Sequence, residues 1–282
     1  LKDFTAKTKY DALIFIDLPY GDEQVVPYAW FSKRDKTKKK FFIANDTLPS
    51  RGAIFGMDLA EDLCLIKNFT AAYVLDYQGL NVWRRFKLKD RVFKRRFAVD
   101  CDYFDGKSSS GNYVFSYGNI SRNFNALFEA MILMPDLKLK LYGNYKLSAP
   151  PILKNRVQFI APSADSSKMK QLIAGAKFIV FPTLPDKKIR TVGLSSALVA
   201  MAMKKIVLVR GNMHMYRYLT NGINAFMYKK SNAAELLRGM KKILSLSASE
   251  KKQIELKARE TVLKMNNMDS FADEFIKKHI KR

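Results

Sequence analysis

The stretch from Lys177 to Tyr228, KFIVFPTLPDKKIRTVGLSSALVAMAMKKIVLVRGNMHMYRYLTNGINAFMY, carries the pattern that decides the fold. An apolar strand is predicted up to Pro182, and a helix rich in alanine and methionine begins near Gly193. A second apolar strand follows over 205–209. Backbone N–H groups at a helix start, preceded by a cationic loop, form an anion site at the carboxyl end of a strand. Open α/β sheets bind ligands at such places.

Alternating strands and helices continue on both sides of this stretch and predict an α/β fold with parallel sheets and helices on both faces. In the first part, strands are predicted over 11–16, 40–44, 72–75 and 91–98, and helices over 24–34, 54–66 and 77–88. In the second part, strands are predicted over 113–117, 138–142, 157–160, 177–181, 205–209 and 225–228. The helices there are predicted over 122–133, 166–175, 193–203, 213–219, 233–245, 248–265 and 270–280. Ser247 and Glu250 have capping-box spacing, and Asp269 is placed as the N-cap of the last helix.

A polar segment over 105–111, DGKSSSG, has the composition of a flexible linker. We place the domain boundary there. The first domain then covers 1–106 and the second covers 107–265.

The net charge of +24 on 282 residues predicts a polyanionic neighbour, such as anionic lipid headgroups, nucleic acid or an acidic glycan. The alternative is a surface that is simply rich in lysine. Residues 83–97, WRRFKLKDRVFKRRF, interleave eight cations with aromatic side chains, which suits a membrane interface or a stacked nucleic acid. The residues assigned to this surface are Arg84, Arg85, Lys87, Lys94, Arg95 and Arg96.

Other compositional features restrict the class of protein. No apolar run approaches the roughly twenty residues that a membrane-spanning helix needs, and the start does not read as a signal peptide. Because the first residue is leucine, we expect a processed or truncated product. Cys64 and Cys101 exclude a disulfide scaffold and a cysteine-rich zinc site, and two histidines exclude a multi-histidine metal site. We therefore predict a cytoplasmic protein without a metal site.

Four short fragments resemble a known family in their order and spacing: Gly193-Leu194, Ala200-Met201-Ala202, Lys205-Ile206-Val207 and Asn221-Gly222-Ile223-Asn224-Ala225. They are similar to the donor-binding half of the retaining GT-B-fold glycosyltransferases, the large group 1 family related to glycogen and sucrose synthases. Residues 97–104, 113–130, 155–182 and 258–279 extend the resemblance to about two thirds of the chain.

The resemblance implies two Rossmann-like domains with parallel sheets. It also implies that the last helix, assigned to 266–282, crosses back to the first domain. The first domain departs from the family pattern, because three or four strands precede the linker where the family has six or seven. We expect this acceptor-side domain to be reduced or truncated.

The resemblance assigns a diphosphate-binding role to Arg122, which opens a helix after a turn at Gly118 and Asn119. A cation in the first turn of a helix opposes the helix dipole unless an anion binds between them. The alternative is an ordinary solvent-exposed arginine. The remaining diphosphate ligands are assigned to Lys188 and Arg190 and to the N–H groups of Gly193, Leu194 and Ser195, although solvated charges and plain N-caps are open alternatives.

The two glutamates that the family uses for the donor sugar and the ribose are missing. One register places them at Thr191 and Val199, and the other at Arg190 and Leu198. No acid occurs between Asp186 and Glu235. The residues assigned as substitutes are Thr191, Ser196 and Asp186, and those assigned to the base are Ile160 and Pro162. No catalytic residue is identified.

The resemblance implies a hexosyltransferase that takes a sugar from a UDP- or GDP-sugar with retention of configuration and without a required cofactor. It implies a lipid-linked, cell-envelope or polysaccharide acceptor, and peripheral binding to the cytoplasmic membrane face. One alternative is glycosylation of nucleic acid. The other, prompted by the missing glutamates, is a non-catalytic binding or scaffold subunit.

Overall fold

A computed structural model describes residues 13–16, 39–43, 70–74, 91–106, 111–163, 165–185 and 191–280. The helices predicted over 24–34, 54–66 and 77–88 lie outside these residues. Contacts between Cα positions divide the chain into a first unit, residues 1–97 with 272–282, and a second unit, residues 98–271. The predicted boundaries after residues 106 and 265 differ from this division, which includes 98–106 in the second unit.

Strands and helices alternate along the described chain, in agreement with the predicted α/β class. The strands are β1 Leu13–Ile16, β2 Lys40–Ile43, β3 Ala71–Val74, β4 Val92–Lys94, β5 Tyr113–Tyr117, β6 Lys138–Tyr142, β7 Val157–Ile160, β8 Ala176–Phe181, β9 Val207–Arg210 and β10 Phe226–Tyr228. The helices are α1 Phe124–Ile132, α2 Ser166–Ala174, α3 Leu194–Ala202, α4 Ala233–Leu244, α5 Ala248–Asn266 and α6 Met268–His279, with 3-10 turns at Pro151–Leu153 and Met215–Arg217. No described helix combines the length and the apolar character needed to cross a membrane.

The first unit contains a parallel sheet with the strand order β1-β2-β3-β4. Its aromatic core includes the end of α6. The Phe275 ring lies 4.8 Å from the Phe41 ring, and the Tyr73 hydroxyl lies 2.6 Å from Nε2 of His279. Lys39 Nζ donates a hydrogen bond of 2.7 Å to the carbonyl of His279, which satisfies an acceptor that a helix end leaves unpaired.

The second unit contains a six-stranded parallel sheet with the order β10-β9-β8-β5-β6-β7. Each of its five strand pairs is parallel. β5 lies in the middle, and the chain adds strands first on one side of it and then on the other, as in a Rossmann fold. All five residues of β5 are buried, as expected for a parallel strand covered on both faces.

Helices α1 and α4 pack together over one hydrophobic core of the second unit. Leu127 and Met131 of α1 and Leu236 of α4 are completely buried in it. Burial of one such side chain contributes roughly 1.5–3 kcal/mol. Helix α3, whose Met201 is also fully buried, contacts α5 instead.

The helix starts confirm one sequence prediction and correct another. Ser247 and Glu250 form the predicted capping box of α5. The N-cap prediction for Asp269 is wrong, because α6 already begins at Met268. There the Asn267 side chain accepts a hydrogen bond of 3.0 Å from the Asp269 amide.

Two further elements differ from prediction between α3 and β10. The helix predicted over 213–219 is only the 3-10 turn Met215–Arg217. The Asn212 side chain accepts hydrogen bonds from the amides of His214 and Met215 just before and at its start. The strand predicted from residue 205 begins at Val207. Lys205 is instead buried, with its ammonium group donating to the Ala176 carbonyl at 2.9 Å.

Arg259 of α5 connects three parts of the second unit through backbone oxygens. Its guanidinium donates to the carbonyls of Cys101 at 2.9 Å, Phe104 at 2.8 Å and Ala202 at 2.7 Å. These bonds hold residues 101–104 against the end of α3.

Candidate functional site

The strand order of the second sheet creates a ligand position at the carboxyl ends of β5 and β8. The chain leaves β5 toward β6 on one side and leaves β8 toward β9 on the other side. In such a sheet a crevice opens outside the strand ends where the direction of the connections reverses. Residues 118–123 follow β5, and residues 182–193 follow β8. A backbone bridge between Arg122 and Thr183 joins the two loops.

Arg122 lies at this crevice. Its guanidinium donates to the Ile120 carbonyl at 2.6 Å and the Tyr117 carbonyl at 3.4 Å. Its Cζ atom lies 5.8 Å from the centre of the Phe181 ring. The side chain therefore folds back over the ends of β5 and β8 and does not extend into solvent.

The charge on Arg122 is poorly compensated within the described residues. Burial lowers the pKa of its guanidinium, and only the nearby tyrosines Tyr145, Tyr228 and Tyr117 act in the opposite direction. Among the residues that the structure describes, no carboxylate pairs with it, and its buried Nε has no hydrogen-bond partner. Such a cation favours an anionic ligand.

The turn between β5 and α1 brings residue 118 close to the guanidinium of Arg122. Gly118 has a φ of +92°, and a Cβ atom there would lie 2.7 Å from Nη2 of Arg122. Asn119 is exposed, and its side-chain oxygen lies against Gly143 after β6. The Tyr145 hydroxyl supports the same turn, since it lies 3.2 Å from the Gly118 carbonyl.

The start of α3 faces Gly118. Gly193 is its N-cap with a φ of +81°, so neither Ser195 nor Ser196 caps the helix. Ser196 Oγ would lie 3.6 Å from a Cβ atom at Gly118. The Leu194 amide donates to the Thr191 carbonyl at 2.9 Å, which removes it from the predicted set of ligand-binding N–H groups. The groups of Gly193 and Ser195 belong to the first turn, where helix amides lack intrahelical partners.

The two residues predicted to bind the base lie at and just after the end of β7. Ile160 ends β7 and is half-buried, and Pro162 follows it and is exposed. β7 is two strands away from β5, which is on the order of 10 Å at the usual strand spacing.

Several predicted residues lie outside the described part of the chain or away from the crevice. Asp186, Lys188, Arg190, Arg84, Arg85 and Lys87 lie outside the described residues. Lys94 is half-buried and Arg96 is exposed. Arg95 is only 6% exposed and donates to the Arg96 carbonyl at 3.3 Å, so the prediction that it contributes to an exposed cationic surface is wrong.

Three tyrosines around Arg122 were missed by sequence reasoning. Burial raises the pKa of Tyr145 and of Tyr228 to about 12, and it also raises the pKa of Tyr117. These phenols therefore stay neutral and act as hydrogen-bond donors. The Tyr228 hydroxyl donates to the Phe181 carbonyl at 2.9 Å. The sequence gives one signal for two of them, since Tyr117 and Tyr228 each end a strand.

The site offers positive charge and peptide hydrogens. In the described ranges, no three His, Cys, Asp or Glu residues approach closely enough to hold a metal ion. The arrangement suits a ligand with a compact negative charge, such as a phosphate or diphosphate.

Comparisons with known proteins agree with this architecture. No family model and no curated protein matches the chain. A crystal structure of HepE from Anabaena with UDP and glucose is similar, with a TM-score of 0.68 and 12% identity over 95% of this chain and 77% of that one. Sucrose-phosphate synthase from Thermosynechococcus elongatus gives a TM-score of 0.69 and 14% identity over 98% and 74%.

A glycosyltransferase from Rickettsia africae gives a TM-score of 0.65 and 14% identity over 93% of this chain and 83% of that one. At identities this low, the comparisons establish the fold alone. This chain has the GT-B fold of these glycosyltransferases, as its sequence predicts.

Proposed function

We propose that this chain is a glycosyltransferase that binds a nucleotide sugar at the carboxyl ends of β5 and β8 and transfers the sugar to an acceptor hydroxyl. One observation carries the proposal. Arg122 lies over the Phe181 ring at the crevice of a GT-B fold, without a carboxylate partner among the described residues.

A diphosphate fits this position for electrostatic reasons. Withdrawal of a guanidinium from water is costly unless a negative charge compensates it. A hydrogen bond between such a cation and a phosphate oxygen is worth roughly 1.5–3 kcal/mol. In the proposal, Lys188, Arg190 and the N–H groups of Gly193 and Ser195 bind the same diphosphate.

The transfer step places negative charge where these groups lie. The bond between the anomeric carbon and the diphosphate oxygen breaks, and its electron pair leaves with the nucleoside diphosphate. The acceptor oxygen forms the new bond to the anomeric carbon, and its proton moves to the departing phosphate oxygen. Fixed cations and peptide hydrogens stabilise that leaving group, so the proposal requires no metal ion.

The remaining donor contacts keep the assignments made from the sequence. Thr191, Ser196 and Asp186 contact the sugar and the ribose, and Ile160 and Pro162 contact the base. Ser196 has support from geometry, because its hydroxyl faces the Gly118 turn. We propose retention of configuration at the anomeric carbon.

Two other observations support the choice of donor base and acceptor. HepE shares the fold and was crystallised with UDP and glucose, which makes UDP-glucose the first donor to test before a GDP-sugar. We propose a lipid-linked, cell-envelope or polysaccharide acceptor at the cytoplasmic face of a membrane. The net charge of +24 supports an anionic partner of this kind.

A non-catalytic binding subunit is the second candidate, because one specific observation favours it. No acid occurs between Asp186 and Glu235, so no carboxylate from α3 is available to bond the sugar or ribose hydroxyls. This candidate predicts nucleotide binding without release of product.

Calorimetric titration of the full chain with UDP, UDP-glucose and GDP-mannose tests the proposal. We expect one of the three to bind, and Arg122→Gln to weaken that affinity at least about tenfold because a charge-assisted hydrogen bond is lost. Arg238→Gln is the matched control, since Arg238 is an exposed arginine of α4 that pairs with Glu235.

Three outcomes separate the candidates. Binding that is lost in Arg122→Gln and retained in Arg238→Gln supports the donor site. Absence of binding to all three nucleotides, or equal loss in both variants, contradicts it. Binding followed by no release of nucleoside diphosphate with lipid-linked or polysaccharide acceptors supports the non-catalytic subunit.

A further inference from the structure

A cavity of about 460 Å³ lies at the amino ends of β5, β6 and β7, the opposite edge of the sheet from the Gly118 turn. Tyr113 and Lys138, the first residues of β5 and β6, line it together with Lys140, Asn155, Arg156 and Gln158. None of its lining residues, all of which the structure describes, is an acid. Its volume falls within the range of small-molecule sites.

Two of its cations are held in place by the protein. Lys140 Nζ lies 4.0 Å from the centre of the Tyr113 ring, at cation–π distance. Nη1 of Arg156 donates to the carbonyls of Met131 at 3.0 Å and Met134 at 2.9 Å. A guanidinium has five N–H donors, so Arg156 is fixed in orientation and still has donors for a ligand.

The positive charge of the cavity is not neutralised by the neighbouring protein. No carboxylate of the described residues forms an ion pair with Lys138, Lys140 or Arg156. Three cations around one concave surface therefore favour an anionic ligand.

The other wall groups indicate the class of anion. Asn155 and Gln158 carry amides that both donate and accept hydrogen bonds, which matches the hydroxyl groups of a sugar. Tyr113 is buried and has Lys140 over its ring, so it does not provide the open aromatic face on which a nucleic-acid base stacks.

We propose that this cavity binds an anionic sugar unit, such as a hexuronate within a polysaccharide, at a docking site separate from the donor site. Tyr113 and Tyr117, the two ends of β5, are separated by about 13 Å, since a strand rises about 3.3 Å per residue. The cavity therefore holds a polysaccharide without placing that unit at the site of transfer, and the proposal does not depend on the identity of the donor.

Calorimetry of the full chain with tetragalacturonate, and with neutral cellotetraose as the comparison, tests the proposal. We expect the uronate to bind and the neutral sugar not to bind. Lys138→Gln/Lys140→Gln should weaken the uronate affinity at least about tenfold, because two charged contacts are lost. Lys241→Gln/Lys242→Gln is the control, since these exposed lysines in the last turn of α4 change the net charge equally.

Other probes make the result decisive. Asn155→Asp, a substitution at an exposed position, should also weaken uronate binding, and circular dichroism checks the fold of each variant. The proposal is overturned if the uronate does not bind or if both double variants lose it equally. Tighter binding of inorganic tripolyphosphate or a single-stranded oligonucleotide to the same lysines also contradicts it, as does displacement of the uronate by UDP.

Discussion

The hydroxyl group of Tyr117 donates a hydrogen bond of 2.6 Å to the backbone carbonyl of Ser196. Tyr117 ends the central strand β5, and Ser196 lies in the first turn of α3. This bond fixes the helix start relative to the strand end over which Arg122 lies. The geometry of the crevice therefore depends on a phenol that itself need not contact the ligand.

We expect Tyr117→Phe to lower the free energy of unfolding by roughly 1 kcal/mol, because one buried hydrogen bond is lost. It should also weaken nucleotide binding, since the start of α3 loses its attachment to β5. Urea unfolding and calorimetry measure the two effects.

Tyr113→Phe is the matched control for this variant, because the Tyr113 hydroxyl also donates to a carbonyl, that of Leu172 at 2.8 Å. Tyr113 lies at the other end of β5. The expectation fails if Tyr113→Phe reduces nucleotide affinity as much as Tyr117→Phe does.

Gly193→Ala should destabilise the protein more than Gly222→Ala. Both residues have positive φ, +81° and +77°, which costs an L-residue roughly 1–2 kcal/mol. A Cβ atom at Gly193 would in addition lie 3.0 Å from Cγ2 of Thr183, whereas nothing lies within 4 Å of one at Gly222.

Thermal unfolding of the two variants measures this difference. Only Gly193→Ala should also reduce nucleotide affinity, since Gly193 begins the helix at the crevice. Equal melting temperatures for the two variants would show that crowding at Thr183 has no energetic effect.

Stability should fall at alkaline pH because of Tyr228. Burial raises its pKa from 10.0 to about 12 in the folded protein. Between these two values the unfolded chain releases the proton while the folded chain retains it. The contribution of Tyr228 is therefore complete below pH 10 and is lost as the pH rises to 12, by about 1.4 kcal/mol per pH unit.

Urea unfolding of the wild-type protein and of Tyr228→Phe at several pH values above 9 checks this expectation. The variant should lose less stability than the wild-type protein over the same pH range. Parallel curves would mean that Tyr228 ionises equally in both states.

Excess EDTA should leave nucleotide affinity unchanged. In the proposed site, Arg122 and the peptide N–H groups of α3 supply the positive charge that a divalent cation supplies elsewhere. Calorimetry with UDP in EDTA and in MgCl₂ measures this. A marked loss in EDTA would assign part of the diphosphate binding to a metal ion.

Local patterns explain why the second unit could be predicted well. Apolar runs such as that of β8, bounded by Gly175 and Pro182, fix a strand without reference to the rest of the chain. The predicted helices over 166–175 and 233–245 are likewise found, within one residue, as α2 and α4.

The site was less predictable because it depends on which strands become neighbours. Tyr117 and Tyr228 meet around Arg122 only after β5, β8, β9 and β10 have assembled. No local pattern reports that proximity. Lys205 shows the same limit, since its cation is buried against the Ala176 carbonyl although its sequence context reads as a strand start.

The three carbonyl bonds of Arg259 determine where a shortened chain has to begin. A fragment that starts at the polar stretch after Gly106 would lack Cys101 and Phe104, so two of the three acceptors would be absent. The guanidinium would keep only the Ala202 oxygen. A fragment designed to fold as the C-terminal half by itself should therefore start at Ala98.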